Sequence, residues 1–370
     1  MTECNVNKKV TKTKLSTTGY DHYIAIDWSQ VNIALARSTK KSLEPKVHLW
    51  EESDVKIVKD YISALSGTII MTIEETTTSH WLYVELKEYV DKILICDPYK
   101  NRLLSSGPKT DKIDAVKLCQ LLRAGLLKEV YHTDDKLYNC RQLLSAFNDL
   151  KNMGVRLQNQ RSALYRAKGF HYSKAELPEL KKRLDDRDFT KFITDWQDLT
   201  IEEYFRNKEL FEKIIFDIVK NNKIMKNLSG ITGIGTISAF EIVSIVVQAE
   251  RFKNRGNYLS YCGLVLHQKF SGNRSYGKRR PRYNRTLHSV YKRAARVAIN
   301  GKNNAIYEYY EVLIKKGLNH KQATLSIARY IAKVTFGMMK SGKKYEPYKW
   351  RKEDGVEKKS STLPTNKHQA

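Results

Sequence analysis

Four acidic residues have the types and positions expected of a metal site for phosphoryl transfer. Asp111 and Asp114 lie three residues apart at the start of a predicted helix, so their carboxylates share one helix face. Asp27 and Glu74 each end an apolar, strand-like segment. Carboxylates are preferred ligands of Mg²⁺, and two such ions about 4 Å apart activate an attacking oxygen and stabilise a leaving one. The four acids therefore predict a site for two Mg²⁺ ions, with Mn²⁺ as the alternative metal.

Each acid also has an ordinary structural explanation. Acids in a first helical turn suit the helix dipole, which accounts for Asp111 and Asp114 without any metal. Taken singly, Asp27 fits a turn and Glu74 fits an exposed strand end. Glu75 is the spare candidate, although alternation along the strand places it on the side opposite Glu74. The metal-site interpretation depends on one fold bringing all four acids together.

The order of predicted elements indicates such a fold. Apolar runs predict a strand hairpin over 20–37, a third strand at 47–50, a buried strand at 68–75 and a fifth strand at 92–96. Helical spacing predicts helices over 54–65 and 80–90, and a further helix from the N-cap Thr110 to Gly125. This β-β-β-α-β-α-β-α order is similar to a ribonuclease H-like fold.

The net charge points to a polyanionic partner. The chain has 370 residues and a formal charge of +26, and residues 251–300 contain 13 Lys and Arg but no Asp or Glu. Basic runs are usually solvated faces, but a folded, acid-free window of this length favours nucleic acid. Five scattered cysteines without a CxxC pair argue against a zinc ribbon or a disulfide framework. Without a long apolar run or a signal segment, we expect a cytoplasmic, nucleoid-associated protein and no membrane contact.

The segment 228–246 contains a glycine turn that predicts a contact with a phosphate. Helices flank the turn on both sides and no strand precedes it, so a dinucleotide-binding loop does not fit. A helix-hairpin-helix fits better, with Gly233 and Gly235 forming the turn and the amides from Thr236 holding a backbone phosphate. A purely structural hairpin is the alternative.

A serine lies within the basic window. Ser271 precedes a glycine among cations able to neutralise both a phosphate and an attacking alkoxide, although a turn-forming serine is the ordinary interpretation. Ser275 is the fallback, and His267 is a candidate helper base that also fits a solvated side chain. The predicted nucleic-acid contacts are Gly233, Gly235, Thr236, Lys269, Arg274, Lys278, Arg279, Arg280, Arg282 and Arg285.

Long helices are predicted between these regions. Leu143, Leu150, Leu157 and Leu164 recur every seven residues and predict a short coiled coil. The coiled coil would hold a homo-oligomer, a dimer or a tetramer. Core packing within one chain is the equal alternative, because Gly154 and Arg161 in the intervening positions would weaken a seam between subunits.

The motifs together resemble one known family over nearly the whole chain. The segments IAIDWSQVNIALA, IEETT and KTDKIDAVKLCQLL, which carry the four acids, are similar to the acid motifs of DEDD transposases of insertion sequences related to the Piv and MooV DNA invertases. LSGITGIGTISAFEI and YLSYCGLVLHQKFSG are similar to two segments of that family's C-terminal domain. IEETT is similar to the family's Glu-x-Thr motif, and this resemblance selects Glu74 over Glu75.

The resemblance implies a RuvC-like catalytic domain and a recombinase that acts on double-stranded DNA. It implies that Ser271 attacks the phosphodiester and forms a phosphoserine link, and that the four acids bind metal. Some relatives also use a structured bridge RNA as a guide. The alternatives are a RuvC-like Holliday junction endonuclease that uses metal-activated water, and a non-catalytic nucleic-acid-binding protein.

The predicted architecture is α/β plus α, in five regions. These are a polar tail (1–18), the RuvC-like domain (19–128), a helical coiled-coil region (129–225), a mainly helical C-terminal transposase domain with the helix-hairpin-helix and a serine loop (226–340), and a flexible basic tail (341–370).

Overall fold

The computed structural model describes residues 18–101, 110–132, 137–170, 179, 182–183, 189–272 and 274–350. The chain forms two compact units, Met1–Asp135 and Lys136–Ala370. The predicted C-terminal domain and the part of the predicted helical middle from residue 136 onward therefore lie within one unit. None of the described helices is both long enough and apolar enough to cross a membrane. The four cysteines in the described ranges are free thiols.

The first unit is built on a mixed five-stranded sheet, which confirms the five predicted strands. Its strands are β1 (His22–Trp28), β2 (Ile33–Thr39), β3 (Lys46–Trp50), β4 (Ile69–Glu74) and β5 (Lys92–Cys96), in the spatial order β3-β2-β1-β4-β5. β1 pairs antiparallel to β2 and parallel to β4, while β2–β3 is antiparallel and β4–β5 is parallel. Its helices are α1 (Val55–Ser63), α2 (Ser79–Leu86), α3 (Pro98–Asn101) and α4 (Asp111–Arg123).

Both faces of the sheet are covered, because side chains alternate along each strand. On one face, Tyr23 and Ala25 of β1 pack with Leu118 and Leu122 of α4. On the other face, Ile24 and Ile26 pack with residues of α1 and α2. Full burial of a leucine contributes roughly 1.5–3 kcal/mol. The helix that carries the paired aspartates is therefore held firmly against the centre of the sheet.

The second unit begins with two long helices, α5 (Tyr138–Ala167) and α6 (Phe189–Asn221). They pack antiparallel: the Phe147 and Phe211 rings stack with centroids 5.7 Å apart, and Arg161 forms an ion pair with Asp198. A Cβ on Gly154 would lie 2.4 Å from the Tyr204 ring, so the glycine makes room for that ring.

The structure agrees with the alternative of core packing within one chain, in which Gly154 and Arg161 take part. Both are buried on the face of α5 that meets α6 of the same chain, whereas the four heptad leucines are only partly buried. The seam within the chain uses the positions between the leucines, because those positions have matching partners on α6.

The remaining helices are α7 (Lys223–Leu228), α8 (Thr236–Val246), α9 (Arg255–Tyr261), α10 (Arg285–Asn300), α11 (Ala305–Lys315) and α12 (His320–Ser341). They agree with the prediction that the region 226–340 is mainly helical. A two-stranded ribbon, β6 (His267–Ser271) and β7 (Arg274–Arg279), stands where a serine loop was expected. The expected flexible tail does not begin at Ser341, because Trp350 is buried with the core of this unit.

Candidate active site

Asp27 and Glu74 occupy neighbouring positions at the carboxyl end of two parallel strands. Ile26 is in register with Ile73, so the next residue in each strand is one of the two acids. Alternation places Asp27 on the sheet face of Tyr23 and Ala25, and Glu74 on the face of Ile70. These residues all belong to the face that α4 covers.

Helix α4 runs against the direction of β1. The Cys119 thiol donates to the carbonyl of Tyr23 at 3.2 Å, and the Arg123 guanidinium donates to the carbonyls of Thr39 and Lys40. The C-terminal half of α4 thus lies where β1 begins and β2 ends. Eight helical residues back from Cys119 span about 12 Å, and the four strand residues from Tyr23 to Asp27 span about 13 Å. The start of α4 therefore reaches the level of Asp27.

Helical spacing places both aspartates on the side of α4 that packs on the sheet, with Asp111 exposed at the helix end. Thr110 is the N-cap, as predicted, and its Oγ1 accepts a hydrogen bond from the Ile113 amide at 3.3 Å. Asp111 lies one turn before the buried Ala115, and Asp114 one turn before the buried Leu118. All four predicted acids therefore come from elements that end or begin at one edge, on one face of the sheet.

The side chains do not yet form a complete coordination sphere. Among the described residues, no group of three or more His, Cys, Asp or Glu side chains stands close enough together to hold a metal ion. Lys109, at the start of the paired-aspartate motif, lies outside the described ranges. The donor set of four carboxylates nevertheless has the chemistry that Mg²⁺ selects, and neither thiols nor imidazoles are part of it.

A fifth acid at this edge was missed from the sequence. Asp97 follows β5, is 6% exposed, and accepts hydrogen bonds from the amides of Tyr99 and Lys100. The Lys100 ammonium lies 3.2 Å from its second oxygen. The aspartate before Pro98, directly after a strand, was the available signal. Asp97 serves as the cap of α3, and its oxygens are already engaged.

The predicted glycine turn is tightly constrained at one glycine and open at the other. Gly233 has φ +90°, and a Cβ there would lie 2.2 Å from the carbonyl oxygen of Ala294 on α10. Gly235 is the exposed N-cap of α8, and nothing among the described residues lies within 4 Å of its Cβ position. Thr236 opens α8, so its amide and the next two have no acceptor inside the helix.

A cation accompanies this helix end. Arg293 on α10 donates to Ser238 Oγ at 3.2 Å and to Glu241 Oε2 at 2.6 Å. The sequence places Arg293 in the acid-free window, but it does not indicate the contact of Arg293 with α8. Free amides and a nearby guanidinium make this helix end suited to an anion.

The predicted serine stands at the tip of the basic ribbon. Ser271 ends β6, is exposed, pairs with Arg274 across the ribbon, and precedes Gly272, which has φ +56°. Ser275 is held differently, because its hydroxyl accepts a hydrogen bond from the Gln268 amide at 3.1 Å. His267 Nε2 lies 3.2 Å from Ser260 Oγ.

Most of the predicted basic contacts are solvent-facing. Those that are exposed on the ribbon or just after it are Arg274, Lys278, Arg279, Arg280, Arg282 and Arg285. The side chain of Lys269 lies outside the described set. Near the base of the ribbon, burial lowers the pKa of His288, with smaller contributions from Arg280 and Lys292. The ribbon thus carries a dense positive charge, and Arg274 is the cation paired with Ser271 at its tip.

Two family models match this chain in separate segments. A DEDD transposase model of the IS110 type matches residues 24–166, which include the four acids. A model described as Transposase IS116/IS110/IS902 family matches residues 225–311, which include the glycine turn and the ribbon.

Two curated relatives are similar over parts of the chain. An uncharacterized 44.8 kDa protein of insertion element IS116 from Streptomyces clavuligerus is 27% identical over 161 residues, which are 43% of this chain and 39% of the relative. An uncharacterized 43.6 kDa protein of insertion element IS110 from Streptomyces coelicolor is 31% identical over 120 residues, 32% of this chain and 29% of the relative. The matched segments thus span less than two fifths of either relative. With both models matching in the order of the motifs, the chain belongs to the IS110/IS116/IS902 family of DEDD transposases.

Proposed function

We propose that the protein is a metal-dependent transposase that cuts and rejoins double-stranded DNA for a mobile insertion sequence. The observation that carries this proposal is the shared edge of Asp27, Glu74 and the start of α4. We further propose that the first unit is a ribonuclease H-like, RuvC-like domain. The strand order β3-β2-β1-β4-β5, with an antiparallel first half and a parallel second half, supports that assignment.

Asp27, Glu74, Asp111 and Asp114 would hold two Mg²⁺ ions, or Mn²⁺ in their place. Bound there, the metal supplies Lewis-acid stabilisation of the charge that develops in phosphoryl transfer. The strands fix Asp27 and Glu74 rigidly, since β1 and β4 are central strands buried on both faces. The four carboxylates are not clustered in the described structure. Metal binding would therefore require the side chains of Asp111 and Asp114, or the start of α4, to move toward Asp27 and Glu74.

Ser271 is the proposed nucleophile. Its Oγ forms a bond to the phosphorus of a DNA phosphodiester while the bond to one sugar oxygen breaks, and the serine proton is released as that sugar oxygen gains a proton. The phosphoserine link keeps the bond energy for rejoining to a second strand. The position of Ser271 at the ribbon tip supports it over Ser275, whose hydroxyl accepts a hydrogen bond from Gln268.

The DNA backbone would be held at two places in the second unit. The open end of α8 at Gly235 and Thr236 supports the proposal of a helix-hairpin-helix that binds phosphate through amides. The basic ribbon adds charge-dependent affinity without sequence readout. We keep a structured guide RNA as a proposed partner, supported by the resemblance and the net charge.

The long helical hairpin is the proposed site of homo-oligomerisation. Phe189, Phe192 and Trp196 on α6 are 82%, 73% and 54% exposed, and Met153 on α5 is 60% exposed. Met153 and Trp196, together with the partly buried Leu157 and Leu164, line a groove of about 840 Å³ between the two helices. Exposed apolar surface of this kind supports pairing with a second copy.

A transposase that cuts and rejoins chromosomal DNA would be located in the cytoplasm, at the nucleoid.

A strand-exchange assay tests the proposal. Wild-type protein with Mg²⁺ should join donor and target DNA, and both Asp111→Asn and Ser271→Ala should abolish joining, whereas Ser275→Ala should retain it. Denaturing gels should show DNA covalently attached to the wild type and not to Ser271→Ala. Joining that persists in Asp111→Asn or Ser271→Ala would reject that residue's role.

The same assay separates the alternatives. A junction-resolving endonuclease that uses metal-activated water would cut DNA in the Ser271→Ala variant and form no covalent adduct. A non-catalytic binding protein would bind DNA and leave it uncut with every divalent metal supplied.

A further inference from the structure

The second unit ends in a short segment that folds back on the preceding helix. Helix α12 ends at Gly342, whose φ of +67° reverses the chain. Residues 343–350, here called the C-terminal strap, are anchored on α11. The Trp350 ring stacks on Tyr309 with centroids 5.1 Å apart, and the Tyr348 hydroxyl donates to Glu308 Oε1 at 3.3 Å. The strap is therefore held in place at its far end.

A cavity of about 270 Å³ lies between the strap and α12. Its apolar wall includes Val334 and Met338, and the aromatic rings of Tyr330 and Tyr345 also line it. Gly337 lies in the same wall, and nothing among the described residues is within 4 Å of the place a Cβ would occupy. The wall is thus open at the glycine, with space for a flat ring beside it.

The rim of this cavity is strongly basic. Arg255, Lys333, Lys343, Lys344 and Lys349 line it, against one acid, Glu346. Within the described ranges, none of these five cations forms an ion pair with a carboxylate. Burial raises the pKa of Tyr345 to about 12, so its phenol stays neutral near pH 7. The cavity therefore combines an apolar, aromatic interior with excess positive charge.

We propose that this cavity binds an unpaired nucleotide of a DNA or RNA strand. The base would enter against the tyrosine rings and the apolar wall, and the flanking phosphates would meet the cations of the rim. A duplex fits less well, because its bases are stacked inside and only its convex backbone is presented. This inference rests on the proposed function, and it adds a specific place for a strand that is displaced or single-stranded during exchange.

Photocrosslinking tests the proposal on the full-length protein. Single-stranded DNA and RNA oligonucleotides carrying 5-iodouracil are irradiated with the protein in EDTA, and crosslinked peptides are mapped by mass spectrometry. We expect at least one of the two oligonucleotides, DNA or RNA, to crosslink to Tyr330 or Tyr345. Gly337→Leu fills the cavity without changing charge and should lower that crosslink about tenfold. Lys340→Gln removes a charge from the same helix outside the cavity and should leave it unchanged.

A second variant covers the case in which Gly337→Leu fails to fold. Lys333→Gln with Lys349→Gln should weaken single-strand binding and reduce the slope of log affinity against log salt by about 1.4. The proposal is overturned if the crosslink persists in both variants, if duplex DNA crosslinks equally well there, or if an oligoglutamate peptide competes as well as the oligonucleotide. Crosslinking is carried out in EDTA and therefore does not depend on metal-dependent strand exchange. A wild-type protein that crosslinks but fails to exchange strands would contradict only the proposed function.

Discussion

The two glycines of the α7–α8 turn should differ sharply in what an added methyl group does. Gly233→Ala places a Cβ at a φ of +90° and 2.2 Å from the Ala294 carbonyl oxygen. The left-handed backbone costs roughly 1–2 kcal/mol and overpacking costs roughly 1–3 kcal/mol, so unfolding should become roughly 2–5 kcal/mol easier. For a unit of this size, each kcal/mol shifts the melting temperature by roughly 2–4 °C.

Gly235→Ala is the matched control. Gly235 has φ −83° and open space at its Cβ position among the described residues, so the stability change should stay within about 1 kcal/mol. The methyl group would instead stand before the free amides that begin at Thr236, where a phosphate would bind. We therefore expect Gly235→Ala to weaken DNA binding about threefold while its melting temperature remains near that of the wild type.

Calorimetry and fluorescence anisotropy with a DNA duplex measure both effects. The expected result is a large melting shift for Gly233→Ala alone and an affinity loss for Gly235→Ala without such a shift. Equal melting shifts in the two variants would refute the packing argument. Unchanged affinity in Gly235→Ala would refute the phosphate contact at α8.

Three further predictions follow from the second unit. Arg161→Met should cost about 3–5 kcal/mol in urea unfolding because it removes the largely desolvated ion pair between Arg161 and Asp198, and adding Asp198→Leu should recover most of the loss; an equal cost in the double variant contradicts this. Because folding lowers the pKa of His288, this residue stabilises the folded state above its unfolded pKa, and that stabilisation is lost as the pH falls through the folded pKa. The free energy of unfolding should therefore drop between pH 7 and pH 5, and His288→Gln should make that drop smaller. Arg274→Gln and Lys278→Gln should each reduce the salt slope of duplex binding by about one, and unchanged slopes would place the DNA elsewhere.

The sheet and its acids were largely predictable because their signals are local. Buried strands such as 69–74 are continuous apolar runs, and Thr110 carries an evident capping pattern before α4. The strand order then places Asp27 beside Glu74. How closely the four carboxylates converge could not be read from spacing, because it depends on side-chain positions at the start of α4.

Other features were missed because their partners are distant in the chain. The sequence does not indicate that Gly154 packs against Tyr204 or that Arg161 forms an ion pair with Asp198. The ribbon around Ser271 lacks the alternation of buried and exposed residues that usually reveals strands, since every residue of β7 is exposed. Polar composition around residues 343–350 hid the stacking of Trp350 on Tyr309.

Iron-mediated cleavage tests the central claim, a single metal site built from three separate segments, most directly. With hydrogen peroxide as the oxidant and ascorbate to regenerate Fe²⁺, Fe²⁺ in place of Mg²⁺ generates hydroxyl radicals that cut the backbone near the bound metal, and excess Mg²⁺ should protect. We predict cuts near Asp27, near Glu74 and near Asp111–Asp114 together, weakened in Asp111→Asn and retained in the Glu75→Gln control. Cuts at α4 without cuts at the ends of β1 and β4 would contradict the account.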